Sequence, residues 1–510
     1  MGFKTISLKL PTDFTDETLR ARISRELRVK DFTFRIGNKS LDARNKSNIH
    51  WLVQVTINSP EIKDGDKIES ETLHIPFRKR NGKIVVAGSG PAGFFTGFVL
   101  QKAGFEVTIL ERGSDVLKRG KSIINFERNG SFDPQNNYAF GEGGAGTFSD
   151  GKLTSRSKHI SLEKDFILRS YVEAGAPAEI EYMAHPHLGT DNLRKIVQHL
   201  RASFENLGGK ILFETLLTDI VVKNSKIAEV ETTAGNLQAD ALFLATGHSA
   251  YETFRMLIGH GVPFRTKNFA VGSRMEHPQE IINVAQWGKP KLQGVKAAEY
   301  RLTSPADGSH QVFSFCMCPG GIVVPAAAYE KTNIVNGMSF YSRGGAFANA
   351  ACVAGIHPDE LAGKTVSPLD ALSVLEKYEE AFYDFSGGYA APACSISDFL
   401  KMRNGNNNLR SSYPLGLIQA PLWDLLPKRI VPALQAGLGD FLKKMKGFEN
   451  GILLGFESKT SSPIQVIREP NGCVEGFENL FVVGEGSGYA GGIISSAADG
   501  VKAAMAFALK

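Results

Sequence analysis

The sequence predicts an α/β protein built around a parallel β-sheet, and three segments lying far apart in the chain predict it. Each is a short apolar run, typical of a buried strand, that ends directly in a glycine-containing turn. The three runs and their turns are 84–87 with GSGPAG at 88–93, 241–244 with ATG at 245–247, and 480–483 with GEG at 484–486. Strands that end in such turns are typical of sheets that bind a nucleotide at their carboxyl edge.

The first segment has the form of a dinucleotide-binding fingerprint followed by a helix. Gly88 makes the tight turn, Gly90 lets a pyrophosphate approach the backbone, and Gly93 lets the helix pack close to the strand. The helix N-terminus supplies N–H groups and a partial positive charge. A strand at 106–110 then ends at Glu111, 23 residues after Gly88, where a carboxylate can accept hydrogen bonds from a ribose. The binding residues predicted from this segment are Gly88, Ser89, Gly90, Pro91, Ala92, Gly93, Glu111 and Arg112.

The two later segments favour FAD as the dinucleotide, because a plain NAD-dependent enzyme of the Rossmann type needs neither of them. A fingerprint first, ATG in the middle and GEG near the C-terminus resembles the order in glutathione-reductase-like flavoproteins. The resemblance implies that Glu485, where Asp is commoner, holds the ribityl chain, and that the last helix directs its positive end at the flavin pyrimidine. It also implies that the glycine-rich loop at 141–147 passes the flavin. The further binding residues expected are Gly144, Ala145, Gly146, Thr147, Leu217, Ala245, Thr246, Gly247, Gly484, Glu485, Gly492 and Ile493.

Composition and charge limit the class of protein. The chain has 510 residues, 42% of them apolar, which predicts two or three globular domains. It has no apolar run of membrane-spanning length, no signal-peptide pattern and only five cysteines, so we expect a cytoplasmic protein without disulfides or a membrane partner.

The whole net charge of +5 falls in residues 1–80, which contain 16 Lys/Arg and 11 Asp/Glu. We interpret this as a solvated basic face and do not expect nucleic acid as a partner. The oligomeric state stays open.

The element pattern predicts three domains. In residues 1–80 the pattern predicts a helix at 16–27 capped by Thr15 and strands at 3–10, 32–36, 49–58 and 72–75. These elements predict a small ferredoxin-like α+β domain, followed by a linker at 78–81. Residues 81–264 and 447–510 form a discontinuous FAD-binding domain, with a helix at 191–207 and a strand at 210–219 in its middle. Residues 265–446 form an inserted α+β substrate domain. Its strands are expected at 270–275, 311–316, 321–325 and 333–339, and its helices at 368–382 and 421–446.

Further signatures resemble one family, the uncharacterised bacterial FAD-dependent dehydrogenases that carry an additional N-terminal α+β domain. They lie at 39–44, 140–153, 186–191, 247–250, 276–279, 316–321, 460–463 and 488–493. Two positions depart from the family pattern: Tyr251-Glu252 stands where Arg-Asp is usual, and Lys459 stands where Arg is usual. Both departures suggest a change in the substrate anion that is held. The resemblance implies the cofactor and the general reaction class, but it does not imply a substrate.

Several side chains near the predicted cofactor are candidates for chemistry. His248 follows the ATG turn directly and is the preferred acid/base candidate among His185, His187, His248 and His277. Lys152 follows the glycine-rich loop and is expected either to face the flavin ring or to form an ion pair.

The CxC pair at 316 and 318 has two interpretations. It forms a thiol relay with Cys318 at the flavin edge, or it is two small residues that pack before a glycine turn. No spacing predicts a metal site.

These observations leave three functional hypotheses. The first is an FAD-dependent oxidoreductase that passes a hydride or an electron pair between flavin and a small-molecule substrate, with NAD(P)H as a candidate transient electron donor. The second is a flavin-dependent protein that modifies or binds RNA or a protein partner through its basic N-terminal domain. The third is a thiol-linked flavoenzyme that uses Cys316 and Cys318.

Overall fold

The computed structural model describes residues 2–63, 71–405 and 408–510. Its strands are β1 Gly2–Leu10, β2 Thr33–Asp42, β3 His50–Ser59, β4 Lys83–Ala87, β5 Glu106–Leu110, β6 Lys210–Leu212, β7 Leu217–Lys223, β8 Lys226–Thr232, β9 Gly235–Gln238, β10 Ala241–Leu244, β11 Phe264–Thr266, β12 Phe269–Pro278, β13 Thr303–Ser304, β14 Val312–Pro325, β15 Val335–Met338, β16 Phe347–Ile356, β17 Ala391–Ser395, β18 Leu417–Gln419, β19 Ile452–Glu457, β20 Ile464–Val466 and β21 Leu480–Val482. Its α-helices are α1 Asp16–Leu27, α2 Pro91–Lys102, α3 Val116–Asn129, α4 Ser161–Glu173, α5 Gly189–Asn206, α6 Tyr251–Gly259, α7 Gln279–Trp287, α8 Pro358–Ala362, α9 Pro368–Ser386, α10 Ile396–Lys401, α11 Leu422–Leu425, α12 Val431–Lys444 and α13 Ile493–Ala508.

A parallel sheet in the order β21–β10–β4–β5–β6 forms the centre of the region that was predicted to bind the cofactor. Helices α2 and α13 pack against each other on this sheet, and their buried side chains include Phe95, Val99 and Val501. Because β4, β10 and β21 are neighbours and parallel, the turns that follow them meet at one edge of the sheet. The predicted parallel sheet is therefore confirmed for its three glycine-terminated strands.

Two predictions in this region are wrong. The strand expected at 210–219 is two strands: β6 completes the parallel sheet, and β7 begins a separate antiparallel sheet with β8 and β9. The FAD-binding portion was expected to resume at residue 447, but β19 pairs with β12 and β17 in the sheet of the inserted region. The inserted sheet therefore extends beyond the predicted end at 446.

The inserted region is a mostly antiparallel sheet ordered β13–β14–β16–β12–β19–β17–β18, with β15 paired to β14. Both predicted strands at 311–316 and 321–325 lie in the single long strand β14, which is interrupted by irregular pairing with β16. The helix expected at 421–446 is the pair α11 and α12. The sequence analysis missed β16, whose alanine-rich run is buried on both faces and shows no alternation.

The N-terminal region contains an antiparallel sheet ordered β1–β3–β2 with α1 packed on it through Leu19 and Ile23. Thr15 caps α1 as predicted, accepting a hydrogen bond from the Thr18 N–H at 3.3 Å. The strand predicted at 72–75 is wrong. Leu73 and Ile75 instead pack against the core of the parallel sheet, so this segment does not add a fourth strand. The described part of this region therefore has three strands and one helix, short of the predicted ferredoxin-like set.

No helix among the described residues is both long and apolar enough to cross a bilayer.

Candidate active site

A cavity of about 1250 Å³ lies where the glycine turns of the parallel sheet face the inserted sheet. Most residues predicted from the sequence line it. These are Gly88, Ser89, Gly90, Pro91, Ala92, Glu111, Arg112, Gly144, Ala145, Gly146, Lys152, Leu217, Ala245, Thr246, Gly247, His248, Glu485, Gly492 and Ile493. Four predicted residues lie behind this wall and do not line it: Gly93, Thr147, Gly484 and Cys318. The cavity is large enough for a dinucleotide and a small substrate together.

The three fingerprint glycines serve different purposes. Gly88 has a φ of 103°, and a Cβ there would lie 2.5 Å from the Ala245 carbonyl oxygen. A Cβ on Gly93 would lie 1.9 Å from the Gly88 carbonyl oxygen. Gly90 has an ordinary φ of −66°, and a Cβ there would meet only the Gly144 Cα, at 3.7 Å. The fold therefore requires Gly88 and Gly93, whereas the protein itself leaves room for a side chain at Gly90 on the cavity wall.

Two helix N-termini are presented to the cavity. Gly90 caps α2 and Gly492 caps α13, and neither N-terminus has a side-chain cap. The first N–H groups of a helix lack intrahelical partners and carry partial positive charge. The cavity wall therefore offers two sites suited to anionic groups of a ligand.

Glu111 holds neighbouring loops together. One carboxylate oxygen accepts hydrogen bonds from Ser89 N at 3.1 Å and Ser89 Oγ at 2.6 Å, and the other accepts from Gly113 N at 2.9 Å and Gly141 N at 3.1 Å. The side chain is buried. Its predicted contact with a ribose stays a prediction, and the structure adds a role in joining the fingerprint to the glycine-rich loop. The adjacent Arg112 lies 3.8 Å from the centroid of the Phe140 ring.

Arg119 is a site-building residue that the sequence analysis missed. It is fully buried on α3 and donates to the carbonyl oxygens of the glycine-rich loop. Burial lowers its pKa to about 10, although Glu111 and Glu142 favour the charged form. Nothing in the sequence separates this arginine from an exposed one on an amphipathic helix. Its acceptors are Asn137 at 3.0 Å, Tyr138 at 3.1 Å, Gly141 at 3.2 Å, Glu142 at 2.8 Å and Gly144 at 2.9 Å.

His248 is the predicted histidine that best fits a role at the cavity. Its Nδ1 lies 3.6 Å from a Glu485 carboxylate oxygen, and its Nε2 is buried without a partner among the described residues. His185 also lines the cavity but is largely exposed. His187 and His277 lie outside the wall and hydrogen-bond to backbone carbonyls, at 3.2 Å and 2.9 Å. Burial lowers the pKa of each of these two to about 4, which indicates neutral structural histidines.

A charged cluster around Asp150 lies where the end of the glycine-rich loop meets the loop between β15 and β16 of the inserted region. Lys152 Nζ lies 2.6 Å and Arg343 Nη2 lies 2.7 Å from the Asp150 carboxylate, and Lys152 also donates to the Met317 carbonyl. Burial alone would raise the pKa of Asp150, but these two cations hold it well below its usual range. Lys152 therefore forms the ion pair that was one of its two predicted roles, and it also lines the cavity.

The CxC pair is arranged differently from the prediction. Cys316 lines the cavity, whereas Cys318 is fully buried behind it. Cys316 has a φ of 43°, a left-handed conformation that costs a non-glycine residue about 1–2 kcal/mol. The placement of Cys318 at the cavity edge is therefore wrong, because a bulge in β14 brings Cys316 to that position.

The described residues contain no group of three or more His, Cys, Asp or Glu side chains placed to hold a metal ion.

Comparison with known proteins adds a family assignment. Residues 268–460 match a family model described as "FAD-dependent protein, C-terminal domain-like". A protein of Clostridium beijerinckii, described as uncharacterized, is 38% identical over 99% of this chain and 98% of its own length. The chain belongs to the same family as this clostridial protein. The matched segment runs from just before β12 to just after β19, so it coincides with the inserted sheet.

Several solved structures match this chain at low sequence identity and low TM-score. L-Proline dehydrogenase from P. horikoshii is 11% identical, with 84% of this chain and 93% of that chain covered and a TM-score of 0.34. A geranylgeranyl bacteriochlorophyll reductase-like protein from Thermoplasma acidophilum is 12% identical, with 85% and 79% covered and a TM-score of 0.35. CtdE in complex with FAD is 9% identical, with 84% of each chain covered and a TM-score of 0.31. At these TM-scores the likeness carries no argument about a substrate.

Proposed function

We propose that the protein is an FAD-dependent oxidoreductase that transfers a hydride or an electron pair between flavin and a small organic substrate. The observation that carries the proposal is Gly90. It stands at an uncapped helix N-terminus on the wall of a dinucleotide-sized cavity, where the protein itself would accommodate a side chain. A glycine that the fold does not need is explained by a ligand that approaches the backbone at that point.

The cavity wall divides into a cofactor side and a substrate side. On the cofactor side we assign the pyrophosphate to the N-terminus of α2 and the flavin pyrimidine to the N-terminus of α13. Glu485 and His248 lie nearby. Bound there, FAD would supply reversible two-electron chemistry. The buried Nε2 of His248 is then available to hydrogen-bond the bound ligand, which is the role we propose for it.

The substrate side is formed by the inserted sheet and the loops that pack on it. Lys152 remains charged, because Asp150 and the neighbouring thiols outweigh the effect of its burial and raise its pKa. Lys152 and Arg343 share Asp150, and Arg343 is also paired with Glu299 at 3.5 Å, so two carboxylates balance the two cations. Lys152 lines the cavity, and its ammonium group favours a substrate that has a carbonyl or carboxylate oxygen there. Tyr300, Phe313 and Phe315 supply aromatic surface around it.

The N-terminal region is hydrogen-bonded to a segment that lines the substrate side of the cavity. Lys39 N donates to Tyr182 O at 2.7 Å, and Ala184 N donates to Lys39 O at 3.0 Å, so β2 pairs with the segment that leads into the cavity. Ala184 and His185 line the cavity. We propose that this region shapes the substrate side, which explains its presence without a macromolecular partner. Its basic charge alone does not favour RNA or protein docking over this role.

The experiment that tests the proposed function starts with the flavin content of the purified protein. Heat-released cofactor is identified by chromatography and mass, and the holoenzyme is then reduced anaerobically with NADH or NADPH in separate runs. Reoxidation is screened with carbonyl and carboxylate compounds while the flavin absorbance is followed. Co-purified FAD and reoxidation by one compound class would support the proposal. A protein that neither retains FAD nor binds it when apo-protein is titrated would overturn it.

A further inference from the structure

Cys316 stands at a backbone position that ordinarily requires glycine. Phe315 pairs with Ala351 and Cys318 pairs with Asn349, so two residues of β14 lie opposite one of β16 and form a bulge. Bulges with a left-handed residue usually carry glycine there, and they often re-aim a side chain next to an active site. The left-handed φ of 43° turns the Cys316 side chain to the cavity. A strained non-glycine residue at such a position indicates that its side chain has a function.

The thiol of Cys318 contacts the backbone of Cys316 at the bulge. Cys318 Sγ lies 3.3 Å from the Cys316 carbonyl oxygen, and Arg274 Nη2 lies 2.8 Å from that oxygen and 3.6 Å from Cys318 Sγ. Cys318 has one proton, and an ionised Cys316 sulfur is a better acceptor for it than the carbonyl. The hydrogen bond from Cys318 is the main cause that lowers the pKa of Cys316 to about 6, with Lys152 and Arg274 acting in the same direction. The pKa of Cys318 is raised well above its usual value, first by its bond to Cys316.

Charged groups reach the thiol pair from several elements. Lys152 and Arg274 stabilise the thiolate, and Asp150 opposes it. Glu457 pairs with Arg274 at 2.9 Å, and burial raises its pKa to about 7 despite that pair. Arg343 is a further cation near Cys318. Arg343 is in turn paired with Asp150 and with Glu299, so Lys152 and Arg274 are the cations that favour the Cys316 thiolate, as is typical of a reactive cysteine.

We infer that Cys316 and Cys318 form a redox-active dithiol, with Cys316 as the attacking thiolate in the cavity and Cys318 as the buried resolving thiol. The Cys316 thiolate attacks an external disulfide R–S–S–R′, forming a Cys316–S–S–R bond and releasing R′–S⁻. Cys318 then attacks Cys316 Sγ, closing the 316–318 disulfide and releasing R–S⁻, and the Cys318 proton passes to one of the released thiolates. The cysteines lose two electrons, which the external disulfide gains. This inference goes beyond the proposed flavin chemistry and does not require it.

The first test is alkylation of the reduced full-length protein with iodoacetamide between pH 5 and 9, followed by peptide mapping. At pH 6.5 a thiol of pKa 6 has about 75 times the thiolate of an ordinary cysteine, but its lower nucleophilicity leaves only about a fivefold rate advantage. The midpoint of the pH profile is therefore the deciding measurement. We expect a midpoint near 6 at Cys316, a rise above 7 in Cys318→Ala, and no change in the matched control Cys394→Ala, a buried cysteine elsewhere in the same sheet.

The second test is equilibration with mixtures of reduced and oxidised glutathione, a linear disulfide like the one in the proposed step. A peptide that joins Cys316 to Cys318 and lacks two hydrogen atoms should form, and it should revert in excess dithiothreitol. A Cys316 midpoint above 8, an unreactive Cys316 in the folded protein, or failure of the 316–318 disulfide to form in excess oxidised glutathione would each overturn the inference. Flavin content is measured on the same sample, so loss of FAD refutes the proposed function without affecting this result.

Discussion

The replacement of Gly90 by alanine separates ligand binding from folding, because the added methyl group meets no protein atom closer than 3.7 Å. Alanine is a poorer N-cap than glycine, so the substitution destabilises the folded state by about 1 kcal/mol. It also reduces the conformational entropy of the unfolded chain, which stabilises the protein by about 0.4–1 kcal/mol. We therefore expect the apo-protein to keep its stability. The matched comparison is Gly93→Ala, whose Cβ would lie 1.9 Å from the Gly88 carbonyl oxygen and should destabilise the fold by about 1–3 kcal/mol or more.

The effect on FAD binding follows from the hydrogen bonds that the methyl group blocks. Two backbone N–H groups at the start of α2 that bind a pyrophosphate contribute about 1.5 kcal/mol each or more, so their loss weakens binding by about 3 kcal/mol, or about 100-fold in Kd. At an FAD concentration 100 times the wild-type Kd, binding stabilises the wild type by about 2.7 kcal/mol. At the same FAD concentration, which equals the expected Kd of the Gly90→Ala variant, FAD binding stabilises that variant by only about 0.4 kcal/mol.

The assay combines FAD titration of apo-protein with thermal unfolding in the presence and absence of FAD. Gly439→Ala on α12 is the control substitution, since its Cβ meets nothing within 4 Å and the residue lies outside the cavity wall. It should leave the Kd unchanged. The reasoning would be refuted if Gly90→Ala bound FAD within threefold of the wild type, or if its apo-protein unfolded as readily as Gly93→Ala.

Three further predictions test the parts that support the site. Arg119→Met removes the side chain that donates to five backbone carbonyls between residues 137 and 144. It should lower the free energy of unfolding in urea by about 3–5 kcal/mol and should weaken FAD binding. An unchanged Kd for FAD would contradict the role of Arg119 in holding the loop. Burial lowers the pKa of His277 and of His187 to about 4, so the unfolded state binds the proton of each first and stability falls as pH drops from about 6.5 to 4, by about 3 kcal/mol for each histidine. His277→Gln should therefore remove about half of the combined fall in urea unfolding, and an unchanged fall would contradict this. A chain that starts at residue 71 should melt at a higher temperature than one that starts at 81, because Leu73 and Ile75 pack on the parallel sheet, and equal melting temperatures would contradict this.

The cofactor half of the site was predictable because its chemistry is local in sequence. A tight turn, a helix N-terminus and a nearby acidic residue must follow one another within about 25 residues, so the fingerprint at 88–93 and Glu111 can be recognised together. The strands around them are apolar runs of ordinary β-forming residues. The same reasoning predicted the parallel sheet, since each of its glycine turns directly follows a strand.

The side of the cavity that the inserted sheet forms was predicted less well because it is assembled from distant contacts. β16 was missed because alanine and glycine have low strand propensity and its residues are buried on both faces, which removes the alternation that identifies a strand. The bulge at Cys316 was missed because the left-handed position carries no glycine to mark it. Alternation along an unbroken strand placed both cysteines on one face, and the extra residue in β14 sends one to the cavity and leaves the other buried.

One residue from each departure from the family pattern, Tyr251 and Lys459, contacts the other. Lys459 Nζ lies 2.5 Å from the Tyr251 hydroxyl and 2.9 Å from a Glu379 carboxylate oxygen, and Tyr251 and Glu379 are fully buried. Ser458 donates to the same Glu379 oxygen at 2.6 Å. The Lys459 charge is therefore already compensated by Glu379, and Lys459 is nine-tenths buried although it borders the cavity. Glu252, the other residue of the first departure, lines the cavity and is paired with Arg112, and the expectation that these departures select a substrate anion stays a prediction.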